Sequence, residues 1–152
     1  MHTRRQMMQR SAAVAAALGG LGLLPQAAQA AWSSAAFEAK SMADVLKALG
    51  ASAPAASTAV TITGPDIAEN GAVVPVGCAS TAPGVKRLLL LVEKNPNVLA
   101  AMFDVNDAVE ANFLTRVTMG QSSNVMAVAL TGDNKVLFAQ KEIKVTLGGC
   151  GG

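Results

Sequence analysis

The sequence has few of the side chains that enzymes use for acid–base or metal chemistry. In 152 residues it contains one histidine, no tyrosine, one tryptophan and two cysteines. The histidine, His2, lies in an N-terminal segment that has the pattern of a removable signal. Without His2 the chain has no histidine for general acid–base catalysis. Two cysteines are too few for an ordinary zinc, haem or copper centre. We therefore expect no resident metal, no cofactor and no catalytic turnover by this chain alone.

The N-terminal segment has the pattern of a twin-arginine (Tat) export signal. Arg4 and Arg5 precede an uncharged run over residues 11–24, and the small-residue site Ala28-Gln29-Ala30 follows. The run is too short for a membrane-spanning helix, which needs about 20 mostly apolar residues. We predict that residues 1–30 are removed after Ala30 and that the mature protein is periplasmic.

The charge that remains after this cleavage argues against nucleic acid as a partner. Cleavage removes three arginines from the twelve basic residues, which leaves nine against ten acidic residues and a net charge of −1. A surface for nucleic acid or an anionic membrane requires a basic excess or a cluster of Lys and Arg, and residues 31–152 have neither. These 122 residues are enough for one domain of ordinary size.

Residues 31–57 predict a lead-in, one short helix and a linker. Ser41-Met42-Ala43-Asp44 has the spacing of a capping box, which predicts that a helix begins there. Apolar residues then recur on one helical face, and Gly50 predicts the end of the helix. We expect this face to pack against a sheet; its members are Met42, Val45, Leu46 and Leu49. Residues 51–57 are rich in Ala, Ser and Pro, which is typical of a linker.

Residues 58–147 consist of short segments with the residue pattern of β-strands, separated by turn-forming residues. We predict strands at 58–63, 72–80, 85–93, 99–105, 112–119, 124–131 and 136–147. Strands at this spacing without alternating helices favour a mainly β fold, an immunoglobulin-like antiparallel β-sandwich. The apolar run over residues 88–92 predicts a strand that is buried on both faces. The last strand alternates most cleanly, with Ile143, Val145 and Leu147 on one face.

Both faces of the strand at 99–104 are largely apolar. Leu99, Ala101 and Phe103 alternate with Ala100, Met102 and Asp104. Either this is a central strand within an ordinary core, or another chain covers one face of the sheet. Both interpretations stay open on the sequence.

The last five residues, Gly148-Gly149-Cys150-Gly151-Gly152, are the candidate for chemistry. Glycine is the most flexible residue and has no side chain, so four glycines predict a mobile and sterically bare arm around Cys150. If Leu147 is the last anchored residue, three residues at roughly 3.3–3.6 Å each allow Cys150 to reach about 10 Å beyond the domain. No acid or base lies beside the thiol in sequence, so an enzyme that receives the arm must activate it. This predicts a covalent carrier with Cys150 as the attachment site.

Other interpretations of the tail compete with the carrier. A prenylation box is excluded because it needs cysteine four residues from the end. A disulfide between Cys78 and Cys150 is compatible with an oxidising compartment, although a mobile terminus is an unusual place for it. A C-terminal thiocarboxylate on Gly152, as in ubiquitin-like sulfur carriers, requires cytoplasmic activating enzymes and disagrees with export. Finally, the chain could be a structural periplasmic subunit whose terminal cysteine forms an interchain disulfide.

The GGCGG tail, the Tat signal and the small β domain together resemble the SoxY family, the sulfur-carrying subunits of the periplasmic Sox thiosulfate-oxidation system. Four further segments resemble the family, at residues 66–76, 94–97, 119–121 and 142–146. The resemblance implies a heterodimer with SoxZ, which would cover the doubly apolar strand at 99–104. It also implies that Cys150 carries the sulfur and that Gly148, Gly149, Gly151 and Gly152 form its flexible arm.

The resemblance further implies a set of transient partners. In the family a c-type cytochrome complex, SoxXA, oxidatively couples thiosulfate to the arm cysteine. The metal-dependent hydrolase SoxB then releases sulfate, and the sulfane dehydrogenase SoxCD can oxidise the sulfur that remains. The metals and haems belong to these enzymes. Cys78 departs from the family pattern, and we interpret it either as a small buried thiol or as a partner in an interchain disulfide with SoxZ.

Overall fold

The structure, a computed structural model, describes residues 33–149. The predicted export signal at 1–30 lies outside the described residues, as do Cys150, Gly151 and Gly152. Two short helices precede nine strands. The helices are α1 (Ser34–Phe37) and α2 (Met42–Ala48). The strands are β1 (Pro54–Ala56), β2 (Val60–Thr63), β3 (Ile67–Asn70), β4 (Val74–Ser80), β5 (Val85–Val92), β6 (Leu99–Asp104), β7 (Asn112–Val117), β8 (Ser123–Thr131) and β9 (Val136–Leu147).

The strands form two packed sheets, which confirms the predicted β-sandwich. The larger sheet has the order β1-β9-β8-β5-β6, with β3 also paired to β9, and the smaller sheet has the order β2-β4-β7. Strand pairs are antiparallel except for β1 and β3, which both run parallel to β9. These two strands are not predicted from the sequence, in which β1 falls within the predicted linker. Each has only three or four residues, so its strand geometry depends on pairing with β9 rather than on its own period.

Helix α2 begins and ends where the sequence predicts. The Ser41 hydroxyl accepts a hydrogen bond from the amide of Asp44 at 3.1 Å, as an N-cap does. At the other end Gly50 has φ +65°, and the Ala51 amide donates back to the Leu46 carbonyl at 2.8 Å. This is a Schellman motif, in which a residue with positive φ satisfies the last helical carbonyls. The structure adds the one-turn helix α1, capped by Ser33, to the segment we predicted as an irregular lead-in.

Two apolar clusters lie on opposite faces of the larger sheet. The first fills the space between the sheets and includes Leu88, Leu90 and Val92. The second lies between the larger sheet and the helices and includes Leu89 and Leu91. Consecutive residues of β5 therefore point into different clusters, which confirms that the run at 88–92 is buried on both faces.

The same helical layer explains the doubly apolar strand β6. Ala101 and Phe103 pack against the cluster between the sheets, whereas Leu99 and Met102 pack with the helices. A shift in the pairing of β5 with β6 after Leu90 redirects the side chains at the start of β6. The core between the sheets and the helices thus account for the apolar residues of β6, although residues 101–103 are only half-buried, and β6 is a terminal strand rather than a central one. A partner is not needed to explain the apolar pattern, and the cover of β6 by SoxZ stays a prediction.

No helix among residues 33–149 is long and apolar enough to cross a membrane.

Candidate functional site

The end of β9, from which the arm leaves, is held by the parallel strand β3. The hydroxyl of Thr146 donates to the carbonyl of Glu69 at 2.9 Å. One residue further, the amide of Gly71 donates to the carbonyl of Leu147 at 2.7 Å. Strand β3 therefore accompanies β9 to its last residue and fixes the direction in which the chain leaves the sheet.

The turn after β3 meets the segment after β7 and forms a small support for the arm. The Met119 amide donates to the Gly71 carbonyl at 2.7 Å, and the Thr118 hydroxyl donates to the Ala72 carbonyl at 3.1 Å. The side chain of Asn70 accepts from the Ala72 amide at 2.9 Å and closes the turn. We call residues 70–72 and 118–120 the arm cradle.

Gly148 and Gly149 are packed into the arm cradle. The Gly149 amide donates to the Met119 carbonyl at 3.0 Å. A Cβ atom added at Gly149 would lie 2.6 Å from the Cα of Ala72, and one added at Gly148 would lie 2.3 Å from the carbonyl oxygen of Gly120. Both distances are shorter than real Cβ contacts and involve backbone atoms. Only glycine permits this close an approach of arm to cradle.

The cradle itself also requires a glycine. A Cβ at Gly71 would lie 2.2 Å from the Met119 carbonyl oxygen and 2.8 Å from the Gly149 nitrogen. By contrast, the nearest atom to a Cβ at Gly120 is the Gly149 carbonyl oxygen, at 3.9 Å, an ordinary contact. The two glycines of the cradle therefore differ: Gly71 is sterically necessary, whereas Gly120 is not.

These contacts change the predicted starting point of the arm. The sequence predicts Leu147 as the last anchored residue, with Gly148 and Gly149 in the mobile arm. In the structure the anchoring extends to Gly149, and Leu147 is 66% exposed although its alternation places it on the same face as the buried Ile143. Cys150 thus follows an anchored residue directly.

Two polar side chains outside the cradle hold its second segment in place. The Asn95 amide group donates to the Thr118 carbonyl at 2.7 Å, and its oxygen accepts from the Gly120 amide at 3.3 Å. The Ser122 hydroxyl accepts from the Val145 amide on β9 at 2.8 Å. The segment after β7 is therefore bound both to the turn after β5 and to the strand that carries the arm.

The four family-like segments of the sequence meet at this end of the molecule. Residues 66–76 and 119–121 include most of the cradle, 94–97 supply Asn95, and 142–146 form the end of β9. The roles of Gly71, Met119 and Asn95 are not predicted from the sequence. Their signals were local, an Asn-Gly turn and an Asn-Pro turn, whereas the hydrogen bonds that join these segments span 23 residues or more.

Cys78 lies away from this end, in the interior of the sandwich. Its side chain belongs to the cluster between the sheets and is 1% exposed. Burial raises the pKa of the thiol to about 11, because the thiolate would lose its hydration there. The thiol is free among the described residues. This position agrees with the buried-thiol interpretation; a disulfide to another chain would require the sheets to separate.

The arm cradle contains no titratable side chain, since its residues are Asn, Gly, Ala, Thr, Met and Gly. Within residues 33–149 there is also no group of three or more His, Cys, Asp or Glu side chains that could hold a metal ion. Charged side chains outside the cradle include Lys141 on β9, which binds Asp66 at 2.7 Å and lowers the pKa of that exposed carboxyl. The site is thus a mechanical support without acid–base groups of its own.

Comparison with known proteins agrees with this architecture. The model of the sulfur oxidation protein SoxY family matches residues 45–150. The solved structure of the sulfur carrier protein SoxY from Chlorobium limicola f thiosulfatophilum is 33% identical, with a TM-score of 0.61, and the match covers 68% of this chain and 93% of that one. A search of curated protein sequences gives no match.

Two superoxide reductases share the fold at much lower identity. Superoxide reductase (neelaredoxin) from Ignicoccus hospitalis is 17% identical over 57% of this chain and 79% of its own, with a TM-score of 0.50. A putative superoxide reductase from Thermotoga maritima is 13% identical over 57% of this chain and 84% of its own, also with a TM-score of 0.50. At these identities the likeness concerns the sandwich alone.

The family match covers more than half of the chain and ends on Cys150, and the match to the SoxY structure covers 68% of the chain at 33% identity. The chain therefore belongs to the SoxY family of sulfur-oxidation carrier proteins.

Proposed function

We propose that Cys150 is the covalent attachment site and that the chain carries sulfur intermediates of thiosulfate oxidation between enzymes. The observation that supports this most directly is the anchoring of Gly149, one residue before the cysteine, on the Met119 carbonyl. A carrier must present its thiol at a defined place between reactions and release it to an active site. One backbone hydrogen bond, worth about 1 kcal/mol, is strong enough to hold the arm and weak enough to break on binding.

The first step is an oxidative coupling. The thiolate of Cys150 forms an S–S bond to the outer sulfur of thiosulfate, giving a cysteine S-thiosulfonate. The thiol proton is released, and two electrons leave to the haem groups of the cytochrome complex SoxXA. In this proposal the haem groups that accept the electrons are those of SoxXA, so the coupling takes place while SoxXA holds the arm.

The following steps remove sulfate and restore the thiol. Water cleaves the bond between the two thiosulfate sulfurs in SoxB, which releases sulfate and two protons and leaves a persulfide on Cys150. In SoxCD the outer persulfide sulfur is oxidised with three waters to a sulfonate, which delivers six electrons and six protons. A second hydrolysis then releases sulfate and regenerates the cysteine.

The carrier itself should leave these adducts unchanged between enzymes. The arm cradle offers no general base or acid to activate water, since none of its residues is titratable. The second thiol of the chain, Cys78, is buried between the sheets with a raised pKa and is therefore a poor nucleophile for a persulfide or thiosulfonate. Both features suit a protein that stores reactive sulfur.

The compartment and the permanent partner belong to the same proposal. The Tat pattern at residues 1–30 supports export to the periplasm, where the Sox enzymes of the family work. Family membership supports a heterodimer with SoxZ.

The test is to load the purified SoxYZ heterodimer with thiosulfate in the presence of SoxXA and an electron acceptor. We expect one thiosulfate group added to the peptide that contains Cys150, as measured by mass spectrometry. Cys150→Ser should abolish the adduct while the heterodimer still forms, and Cys78→Ala should leave the adduct unchanged. A chain that forms only an interchain disulfide through Cys150, which no Sox enzyme opens, would establish the structural alternative instead.

A further inference from the structure

An Asn-Gly pair lies where the arm cradle meets the end of β9. Of the seven asparagines in the sequence, only Asn70 is followed by a glycine, Gly71. Asparagine before glycine is the pair most prone to spontaneous deamidation, because a following residue without a side chain lets its backbone nitrogen approach the side-chain amide carbon of the asparagine. Asn70 is exposed, so solvent water reaches its side chain. The cradle therefore contains a chemically labile pair.

The cradle needs both members of this pair. Glycine is required at position 71, because a Cβ atom there would lie 2.8 Å from the Gly149 nitrogen and 2.9 Å from the Val145 side chain. Asn70 supplies the oxygen that accepts from the Ala72 amide at 2.9 Å and closes the turn. The support of the arm thus depends on the residues that make the turn reactive.

Deamidation of this pair proceeds through a cyclic imide and consumes only water. The Gly71 nitrogen attacks the side-chain Cγ of Asn70, a new C–N bond forms, and the side-chain nitrogen leaves as ammonia with the proton of the Gly71 amide. Water then opens the ring at one of its two carbonyls. Opening at Cγ gives aspartate, whereas opening at the backbone carbonyl gives isoaspartate, in which the main chain runs through Cβ and Cγ. No atom is oxidised or reduced.

The hydrogen bonds around the pair activate its electrophile but hold its nucleophile. The Ala72 amide donates to the Asn70 side-chain oxygen, which becomes negative when Cγ is attacked, so this bond stabilises the charge that develops. The Gly71 amide, in contrast, donates to the Leu147 carbonyl at 2.7 Å, and Gly71 is buried. Ring closure therefore requires the end of β9 to separate from β3.

Few bonds prevent this separation. Next to the bond between Gly71 and Leu147, the Thr146 hydroxyl donates to the Glu69 carbonyl at 2.9 Å. Strand ends open more often than strand centres, and the net contribution of one hydrogen bond changes an equilibrium by roughly fivefold. Loss of the Thr146 bond should therefore raise the open population, and with it the rate of deamidation, by about the same factor.

Isoaspartate at position 70 would dismantle the cradle. It adds one carbon, about 1.5 Å, to the main chain before Gly71. Gly71 is fixed on both sides, because its amide donates to Leu147 and its carbonyl accepts from the Met119 amide at 2.7 Å. The carbonyl of Met119 in turn holds the Gly149 amide at 3.0 Å. A displaced Gly71 therefore removes the anchor of the arm.

We propose that Asn70 is a deamidation site that the end of β9 protects, and that its conversion to isoaspartate releases the arm from the cradle. The inference goes beyond the carrier function and does not rest on it, since only the chain and water take part in the reaction.

The test is to incubate the purified full chain in mildly alkaline buffer and to measure isoaspartate with protein isoaspartate methyltransferase, with mass spectrometry to locate it. The synthetic peptide of residues 66–76, which lacks β9, is the unprotected reference. We expect isoaspartate at position 70, formed at least about fivefold more slowly in the full chain than in the peptide.

Variants at positions 146 and 70 separate the protection from the reaction. Thr146→Val loses the bond to the Glu69 carbonyl and should raise the rate in the full chain about fivefold, whereas Thr146→Ser keeps the hydroxyl and should match wild type. Asn70→Ser retains an oxygen that accepts from the Ala72 amide but has no amide carbon to attack, so it should form no isoaspartate at this position.

Hydrogen exchange at the Gly149 amide measures the consequence. The isoaspartate fraction should lose the protection of this amide, whereas Asn70→Asp, which adds the charge without the extra carbon, should keep it. Four results would overturn the proposal: equal rates in the full chain and the peptide, an unchanged rate in Thr146→Val, no isoaspartate at position 70 in any full-length protein while the peptide forms it, and unchanged protection of Gly149 in the isoaspartate fraction.

Discussion

Replacement of Gly149 by alanine tests whether the arm is anchored as the structure shows. The added Cβ would lie 2.6 Å from the Cα and the nitrogen of Ala72, and ordinary contacts begin at 3.4 Å. Because the atoms in the way are backbone, the arm must retreat by about 0.8 Å, the difference between these two distances. The 3.0 Å hydrogen bond from the Gly149 amide to the Met119 carbonyl would then exceed hydrogen-bonding distance.

The size of the effect follows from that one bond. A backbone hydrogen bond contributes about 1 kcal/mol net, which corresponds to roughly a fivefold shift toward the released arm. We expect the protection of the amide at position 149 against hydrogen exchange, normalised to the unfolded peptide, to fall by about fivefold or more. The alkylation rate of Cys150 should rise by up to the same factor, and the free energy of unfolding of the sandwich should change by less than about 0.5 kcal/mol.

Gly120→Ala is the matched control, because its Cβ would meet nothing closer than 3.9 Å. The substitution is made in the same cradle and at the same residue type, but we expect the amide of Gly149 to keep its wild-type protection against hydrogen exchange. Equal protection in wild type and Gly149→Ala would refute the steric argument. Equal loss in both variants would show that the cradle responds to any methyl group rather than to the contact with Ala72.

Three further changes test the framework behind the arm. Leu90→Ala should lower the free energy of unfolding by about 2–5 kcal/mol in urea titrations, because Leu90 is fully buried between the sheets, whereas Leu114→Ala should cost less than about 0.5 kcal/mol. The free energy of unfolding should fall by about 1.4 kcal/mol per pH unit between pH 9.0 and about 11, because the unfolded Cys78 thiol loses its proton there and the folded one does not. Cys78→Ala should remove this contribution. An identical dependence of the unfolding free energy on pH in both proteins would contradict it. Asn95→Ala should lower exchange protection at Gly149, because the segment after β7 loses two hydrogen bonds; unchanged protection would show that Ser122 alone suffices to hold it.

The interior of the sandwich follows closely from local sequence patterns. The run at residues 88–92 predicts a strand buried on both faces, and the structure places alternate residues in two separate clusters. The helix boundaries follow from Ser41 and Gly50, whose roles depend on the backbone within a few residues. Side-chain period and capping are local properties, so one segment of sequence is enough to predict them.

Strand pairing depends on residues that are far apart along the chain, and the sequence predicts it less completely than it predicts the local structure. Strands β1 and β3 are too short, and too rich in small or polar residues, to show an alternation of apolar and polar side chains. Each is a strand because it pairs with the free edge of β9. The apolar character of β6 was visible in the sequence, but the contribution of the chain's own helices to its burial depends on the bulge after Leu90 and on the position of α1 and α2.

The chemistry proposed for this protein comes from the sequence, because a single cysteine among glycines needs no fold to be recognised. The tertiary structure alone decided how that cysteine is presented. It brings an Asn-Gly turn, the segment after β7 and the end of β9 together, and it makes Gly71 and Gly149 necessary through contacts with backbone atoms. It also places Cys78 in the core and leaves Leu114 78% exposed. The physical reason is that reactivity is a property of one side chain, whereas access to it depends on which distant segments lie next to each other.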